Sequence, residues 1–140
     1  MKIKKLNDQA ILPTQGSDCA AGYDLYSTES VVIPPHETRM IDTGWSMAIP
    51  VDCWGGIFAR SGLASKEGLR PANCVGVIDP DYRGPVKVAL HNDSEENKVV
   101  NVGERIAQFI ILPRFIIHWE EVKELDDTDR NFGGFGSTGQ

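Results

Sequence analysis

Pro85-Val86-Lys87-Val88-Ala89-Leu90-His91-Asn92 is the stretch that decides the fold class. Val86, Val88 and Leu90 fall on one face, with Lys87, Ala89 and His91 between them. A period of two is the spacing of a strand with one buried face. On one side of this stretch, residues 44–50 repeat the pattern, with Trp45, Met47 and Ile49 sharing a face. On the other side, residues 105–117 are apolar nearly throughout, which predicts a strand buried on both faces, with a bend or bulge at Pro113. The 14 glycines and 8 prolines are spread along the whole length and cut the chain into short segments rich in Val, Ile, Phe, Trp and Tyr. Many short strands of this kind predict an all-β sandwich or barrel. Only residues 61–68 have a helical pattern, with Ser61 as the expected N-cap and Gly68 as the stop.

A chain of 140 residues fits one domain. At this size roughly 68% of the unfolded surface is buried, so a core forms without disulfide staples. Apolar residues at 41% and charged residues at 24% exclude collagen-like, low-complexity and wholly disordered classes. No apolar run approaches the roughly 18–20 residues that span a bilayer, so no membrane partner is expected. The N-terminus is basic but has no apolar run after it, which predicts no secretory signal. Fourteen Lys and Arg against 20 Asp and Glu leave a charge of −6, the wrong sign for a general nucleic-acid or anionic-membrane binder. A polyanionic small ligand would need a local positive cluster or a bridging cation. Cys19, Cys53 and Cys74 form no C-x-x-C, so free thiols in a reducing cytosol are expected. His36, His91 and His118 stand singly, and no structural zinc site is expected.

Five segments carry possible chemistry. Gly134-Phe135-Gly136-Ser137-Thr138-Gly139 matches G-x-G-x-x-G, but the chain ends one residue later, so no helix follows and the dinucleotide reading fails. A flexible loop remains, with Arg130 just before it. It is either a frayed terminus or a wrap for a phosphate chain, with Phe135 stacked on a flat ring. Ala59-Arg60-Ser61-Gly62-Leu63-Ala64 ends a strand and opens the helix; it is either ordinary capping or an anion site. Gly76-Val77-Ile78-Asp79-Pro80-Asp81-Tyr82-Arg83-Gly84 is either a plain turn or a rigid strand end presenting Asp79 as a general base. Ala21-Gly22-Tyr23-Asp24-Leu25-Tyr26-Ser27 and Gly103-Glu104-Arg105-Ile106-Ala107-Gln108 each read alone as plain structure. A sixth segment, Gly44-Trp45-Ser46-Met47-Ala48, lacks the last glycine of a nucleophile elbow and lies in an alternating strand, so Ser46 reads as an ordinary serine.

In order and together, the five segments resemble the five motifs of the homotrimeric dUTPase family, from Ala21 to Gly139. Motif one is similar to AGYDLYS, two to RSGLASK, three to GVIDPDYRG, four to GERIAQFII and five to RNFGGFGSTG. Pro80 stands where the family usually has Ser, Glu or Ala, and Phe58-Ala59 replaces the common Ala-Pro. The related dCTP deaminases carry Arg-Ser-Ser, and Gly62 argues against that family. The resemblance implies a jelly-roll-like β-barrel over residues 1–125, with a tail over 126–140 that closes a neighbouring active site in a homotrimer.

The implied reaction is hydrolysis of dUTP to dUMP and pyrophosphate with Mg²⁺, by in-line attack of water on the α-phosphorus. That activity limits uracil incorporation into DNA and supplies dUMP for dTMP synthesis. Asp79 matches the base that orients and deprotonates the water. Asp24 matches the residue that holds the hydrated metal through water. Arg60, Ser61, Gly62 and Gln108 match phosphate contacts, and Arg60 and Gln108 join Asp79 in the catalytic set. Arg130, Ser137 and Thr138 match residues on the terminal phosphates, with Phe135 and Gly136 beside the nucleotide. Asn73, Val77, Ile78 and Lys87 match the hairpin that reads the uracil edge, and Tyr82 the ring beneath the deoxyribose. The implied partners are dUTP, dUMP and two further copies of the chain, without stable nucleic-acid binding. The implied location is the cytoplasm, or the host-cell cytoplasm or nucleus for a viral protein. A catalytically weak nucleotide-binding regulator of the same superfamily is the alternative. The completeness of Asp24, Asp79, Gln108 and Arg130 favours the enzyme.

Overall fold

Val86, Val88 and Leu90 are 0%, 1% and 0% exposed, so the alternation becomes the inward face of a strand. The computed structural model describes residues 1–134. Among them run ten strands: β1 Lys2–Lys5, β2 Tyr23–Tyr26, β3 Val31–Ile33, β4 Thr38–Ala48, β5 Cys53–Phe58, β6 Leu69–Pro71, β7 Gly76–Ile78, β8 Val86–Asn92, β9 Lys98–Val100 and β10 Arg105–Pro113. They form two four-stranded sheets, β1-β4-β8-β6 and β2-β10-β5-β7, and the pair β3-β9. Every pairing is antiparallel. The inner faces of the two large sheets enclose Leu25, Ile41, Met47, Ile57, Val88, Leu90, Ile106 and Phe109. This is the all-β, jelly-roll-like architecture expected. Gly55 is required by close approach: a Cβ there would lie 2.5 Å from the Phe109 ring.

Trp45, Met47 and Ile49 are buried together as expected. The strand that carries the first two starts earlier, at Thr38, and its pairing with β8 shifts between Asp42 and Trp45. Gly44 sits in the shift at φ 74, where a side chain is disfavoured. Thr43 Oγ1 donates to the Val86 carbonyl across the shift at 2.7 Å. Buried Asn92 donates to the carbonyls of Ile33 and Glu96 and accepts from Ser94, which satisfies its amide.

Two local expectations are corrected. Residues 105–117 do not form one doubly buried strand. β10 ends at Pro113, opposite Cys53, and Ile116 and Ile117 are 70% and 62% exposed. Proline has no N–H to continue the ladder, so Pro113 ends the strand rather than bending it. Residues 114–134 carry no strand or helix. The helix stands where expected, with Ser61 and Gly62 α-helical, Leu63–Glu67 a wide π-type turn and Gly68 the stop at φ 68, but its cap differs. Ser61 does not cap it: the turn has no side-chain cap, and the Ser61 carbonyl instead accepts from Ser65 Oγ at 2.6 Å.

A bidentate pair ties β6 to the segment after β8: Arg70 Nε and Nη2 lie 2.6 and 2.9 Å from the Asp93 carboxylate. That hydrogen bonding holds the Asp93 carboxyl below its ordinary value and raises Arg70. A lowered folded value means the contribution is present above the unfolded value, near 4, and is lost as pH falls through the folded one. The difference in Tm between the wild-type chain and Asp93→Asn is therefore expected at pH 7 and should close as pH drops below about 4. Thermal melts at a series of pH values check this, and a gap that persists in acid contradicts it.

Candidate active site

Antiparallel register brings the first half of the site together. Asp24 of β2 lies opposite Gln108 of β10, which in turn lies opposite Phe58 near the end of β5. Arg60 follows that end and reaches back across the sheet. Its Nε donates to Asp24 Oδ1 at 3.0 Å, and its Nη1 donates to the Arg105 carbonyl at 3.0 Å. Arg105 Nη1 donates to the other oxygen, Asp24 Oδ2, at 3.2 Å. Gln108 Nε2 donates to the Ala59 carbonyl at 3.1 Å, bracing the segment that carries Arg60. The Asp24 side chain is 12% exposed, so one nearly buried carboxylate orients two guanidinium groups and leaves the group net positive. Arg60 and Arg105 line a cleft of about 550 Å³ with Leu63, Glu67 and Lys98. Glu104 also lines the cleft and Lys98 pairs with Glu67, so the cationic groups it offers a polyanion are Arg60 and Arg105. Ser61 and Gly62 stand exposed at the opening of the helical turn. Among the described residues nothing lies within 4 Å of where a Gly62 Cβ would sit, so none of them requires glycine there.

The second half is the turn after β7. Val77 and Ile78 enter it as a strand, as the functional reading of this segment requires. Asp79 follows at the strand end, exposed. The expected hairpin is split: β7 pairs with β5 and β8 with β4 and β6, so β7 and β8 belong to different sheets. The split opens a slot of about 320 Å³ lined by Met40, Val77, Ile78, Asp79, Tyr82 and Lys87. β7 is the edge of its sheet, so the N–H and C=O groups on its outer side are free to read a flat ligand. Tyr82 is 43% exposed and donates to the Pro85 carbonyl, so it is not a core aromatic. The Asn73 amide approaches Gly76 at the far end of the same segment. Lys87 Nζ lies 3.9 Å from Asp42.

The two halves are far apart within one chain. Ile78 pairs with Gly55, so Asp79 lies level with Trp54, whereas Gln108 pairs with Phe58. That places Asp79 about 14 Å along the strands from Gln108 and two strands, about 10 Å, across. No lining residue is common to the cleft and the slot. Arg130 is exposed, with its Nε on the Gly133 carbonyl. Phe135, Gly136, Ser137 and Thr138 lie outside the described residues. Arg105 and Met40 are the residues that reading the sequence misses. The position of Arg105 just after the Gly103-Glu104 turn is the signal that could have found it.

Among the described residues no cluster of three His, Cys, Asp or Glu could hold a metal. Mg²⁺ needs only one or two carboxylates when it arrives on substrate phosphates and keeps several waters. With both oxygens of Asp24 on guanidinium groups, the residues fit a hydrated ion held by phosphate and touched through water, and do not fit a metal bound by the protein alone.

The dUTPase family model matches residues 8–139. The chain is 47% identical over 139 residues to the deoxyuridine 5'-triphosphate nucleotidohydrolase of Clostridioides difficile, covering 99% of this chain and 97% of that protein. It is 46% identical to the mitochondrial human protein of the same name, covering all of this chain and 55% of that protein. A solved structure of a Staphylococcus bacteriophage 80alpha dUTPase mutant with dUpNHpp superposes with a TM-score of 0.88 at 29% identity, covering 99% of this chain and 98% of the other. A mutant dUTPase of phage phi11 of S. aureus, whose structure describes the coordination of a structural Mg(II) ion, superposes at 0.83 with 25% identity, covering 90% and 98%. With a family model spanning nearly its whole length and relatives of nearly half identity, the chain belongs to the dUTPase family.

Proposed function

We propose that the chain hydrolyses dUTP to dUMP and pyrophosphate, as a homotrimer whose active sites are shared between copies. The observation that carries this reading is the separation of the two half-sites: a base-bearing turn with a ring-sized slot, and an arginine cluster with a phosphate-sized cleft, on opposite ends of one sheet. Neither half alone can act on a nucleoside triphosphate, and a threefold arrangement sets the turn of one copy against the cluster of the next. A second observation supports assembly. Phe115, Ile116, Ile117 and Trp119 are exposed, with Trp119 at 89%. An apolar run of this size left in water marks a surface that another chain covers.

In the assembled site the uracil enters the slot between β7 and β8, and its edge meets the main chain of Val77 and Ile78 with Asn73 and Lys87 beside it. Tyr82 lies under the deoxyribose. The triphosphate runs to the neighbouring copy, where Arg60 and Gln108 hold phosphate oxygens. Ser61 and Gly62 offer main-chain N–H groups there, and the bare Gly62 lets the phosphate come close. Mg²⁺, arriving on the phosphates, would supply positive charge for the leaving pyrophosphate. Asp79 orients a water toward the α-phosphorus and takes its proton. Asp24 sets the guanidinium groups and would touch the hydrated ion through water. The tail, residues 126–140, closes over the site from a neighbouring copy, with Arg130, Ser137 and Thr138 on the terminal phosphates and Phe135 and Gly136 against the nucleotide. Most of the rate enhancement then comes from positioning and charge stabilisation.

Purified protein is expected to release pyrophosphate from dUTP in the presence of Mg²⁺ and to stop when a chelator is added. Pyrophosphate release that continues unchanged in excess chelator contradicts the metal's part. No release from dUTP under any condition contradicts the activity.

A further inference from the structure

The turn that carries Asp79 and Tyr82 is held by two side chains that the mechanism does not use. Ser46, on β4, is only 8% exposed, and its hydroxyl donates to the Arg83 carbonyl at 2.6 Å. Arg83 in turn folds back over the turn. Its Nη1 donates to the carbonyls of Pro80 at 2.7 Å and Tyr82 at 2.8 Å. The Asp79 carbonyl accepts from the Tyr82 N–H at 3.2 Å. Four carbonyls between Asp79 and Arg83 are therefore tied, three of them by Ser46 and Arg83. Pro80 has no N–H, so the turn has one main-chain donor fewer to close itself. Charge-assisted bonds from the guanidinium take that place. Gly84 completes the unit, because a Cβ there would collide with the Tyr82 phenol.

We infer that Ser46 and Arg83 are positioning residues for the reaction: β4 fixes Arg83 through Ser46, and Arg83 sets the turn so that the Asp79 carboxylate and the Tyr82 ring keep their places. The inference rests on the roles proposed above for Asp79 and Tyr82. It assigns Ser46, whose surrounding sequence falls short of a nucleophile elbow, a structural task at the site. Through Nη1 the guanidinium of Arg83 is engaged with the turn itself. Misplacement of a reacting group by about 1 Å costs on the order of a hundredfold in rate, so the effect belongs in kcat rather than KM.

The test compares Arg83→Gln, Arg83→Lys and Ser46→Ala by steady-state kinetics on dUTP and UTP, by thermal unfolding, and by hydrogen exchange of peptides spanning residues 79–84. Arg83→Gln is expected to lower kcat about tenfold to a hundredfold, with KM moved less than about threefold. Arg83→Lys should recover part of that loss, because it returns a charged donor. Ser46→Ala should lower kcat about threefold to tenfold and speed exchange across the turn. Unchanged kcat and exchange in Arg83→Gln overturn the inference. So does a raised KM at normal kcat, which would mean that the guanidinium binds substrate instead. If Ser46→Ala loses its fold, the exposed Arg83 pair decides the matter alone. Exchange needs no turnover, so it still judges the turn if wild-type protein fails on dUTP, a result that would count against the proposed activity and not against the clamp.

Discussion

Asp79→Asn is expected to lower kcat for dUTP by about 10²–10⁴-fold while leaving KM within a few-fold. The amide keeps the size of the side chain and its place at the end of β7, where Ile78 remains paired with Gly55. It cannot take a proton from water. The loss should therefore appear in the chemical step and not in binding. Asp79 is exposed and no side chain among the described residues donates to it, so the substitution leaves no buried group unpaired and Tm should hardly move. Steady-state pyrophosphate release with a parallel thermal melt checks both statements. Near-normal kcat would remove Asp79 from the role of base.

Tyr82→Ala is expected to change selectivity more than speed. The ring stands at the slot with its hydroxyl on the Pro85 carbonyl and Gly84 cleared beneath it. That arrangement fixes the ring at the lining of the slot. In the proposed complex it packs under the sugar, where an added 2′-OH collides or loses its water. Removing the ring opens that space and should reduce the ratio of kcat/KM for dUTP over UTP by about tenfold or more. The rate on dUTP should fall less than the ratio does, because Asp79 and the phosphate cluster are untouched. An unchanged ratio would mean that Tyr82 is not the sugar gate.

How much of this was legible in the sequence differs element by element. The period-two pattern over Val86, Val88 and Leu90 suffices for β8, because one buried face against one wet face is a local signal. The run over 105–117 misleads for a physical reason: composition records that side chains are apolar, not which chain covers them. Ile106 and Phe109 enter this chain's core, whereas Ile116 and Ile117 leave it. The Ser61 cap fails because Ser61 is itself helical and does not flank the first turn, and no side chain caps that turn. Motif order proposes Asp24, Arg60, Gln108 and Asp79 for the site, but spacing cannot say which of them meet. Asp24 meets Arg60 and Arg105 only because β2 and β5 flank β10 in one register. The same register sends Asp79 to the other end of the sheet. Ser46 is illegible, since its task depends on a carbonyl 37 residues away.

The most direct test of a site shared between chains is complementation between two inactive variants. Asp79→Asn chains retain a sound arginine cluster, and Arg60→Gln chains retain a sound base. Each alone is expected to be nearly inactive while sedimenting as a trimer. Unfolded together in equal amounts and refolded, they should regain about a quarter of wild-type pyrophosphate release, because a quarter of randomly assembled sites join the two intact halves. Activity that stays at the level of the separate variants, in mixed trimers of wild-type mass, would contradict the account.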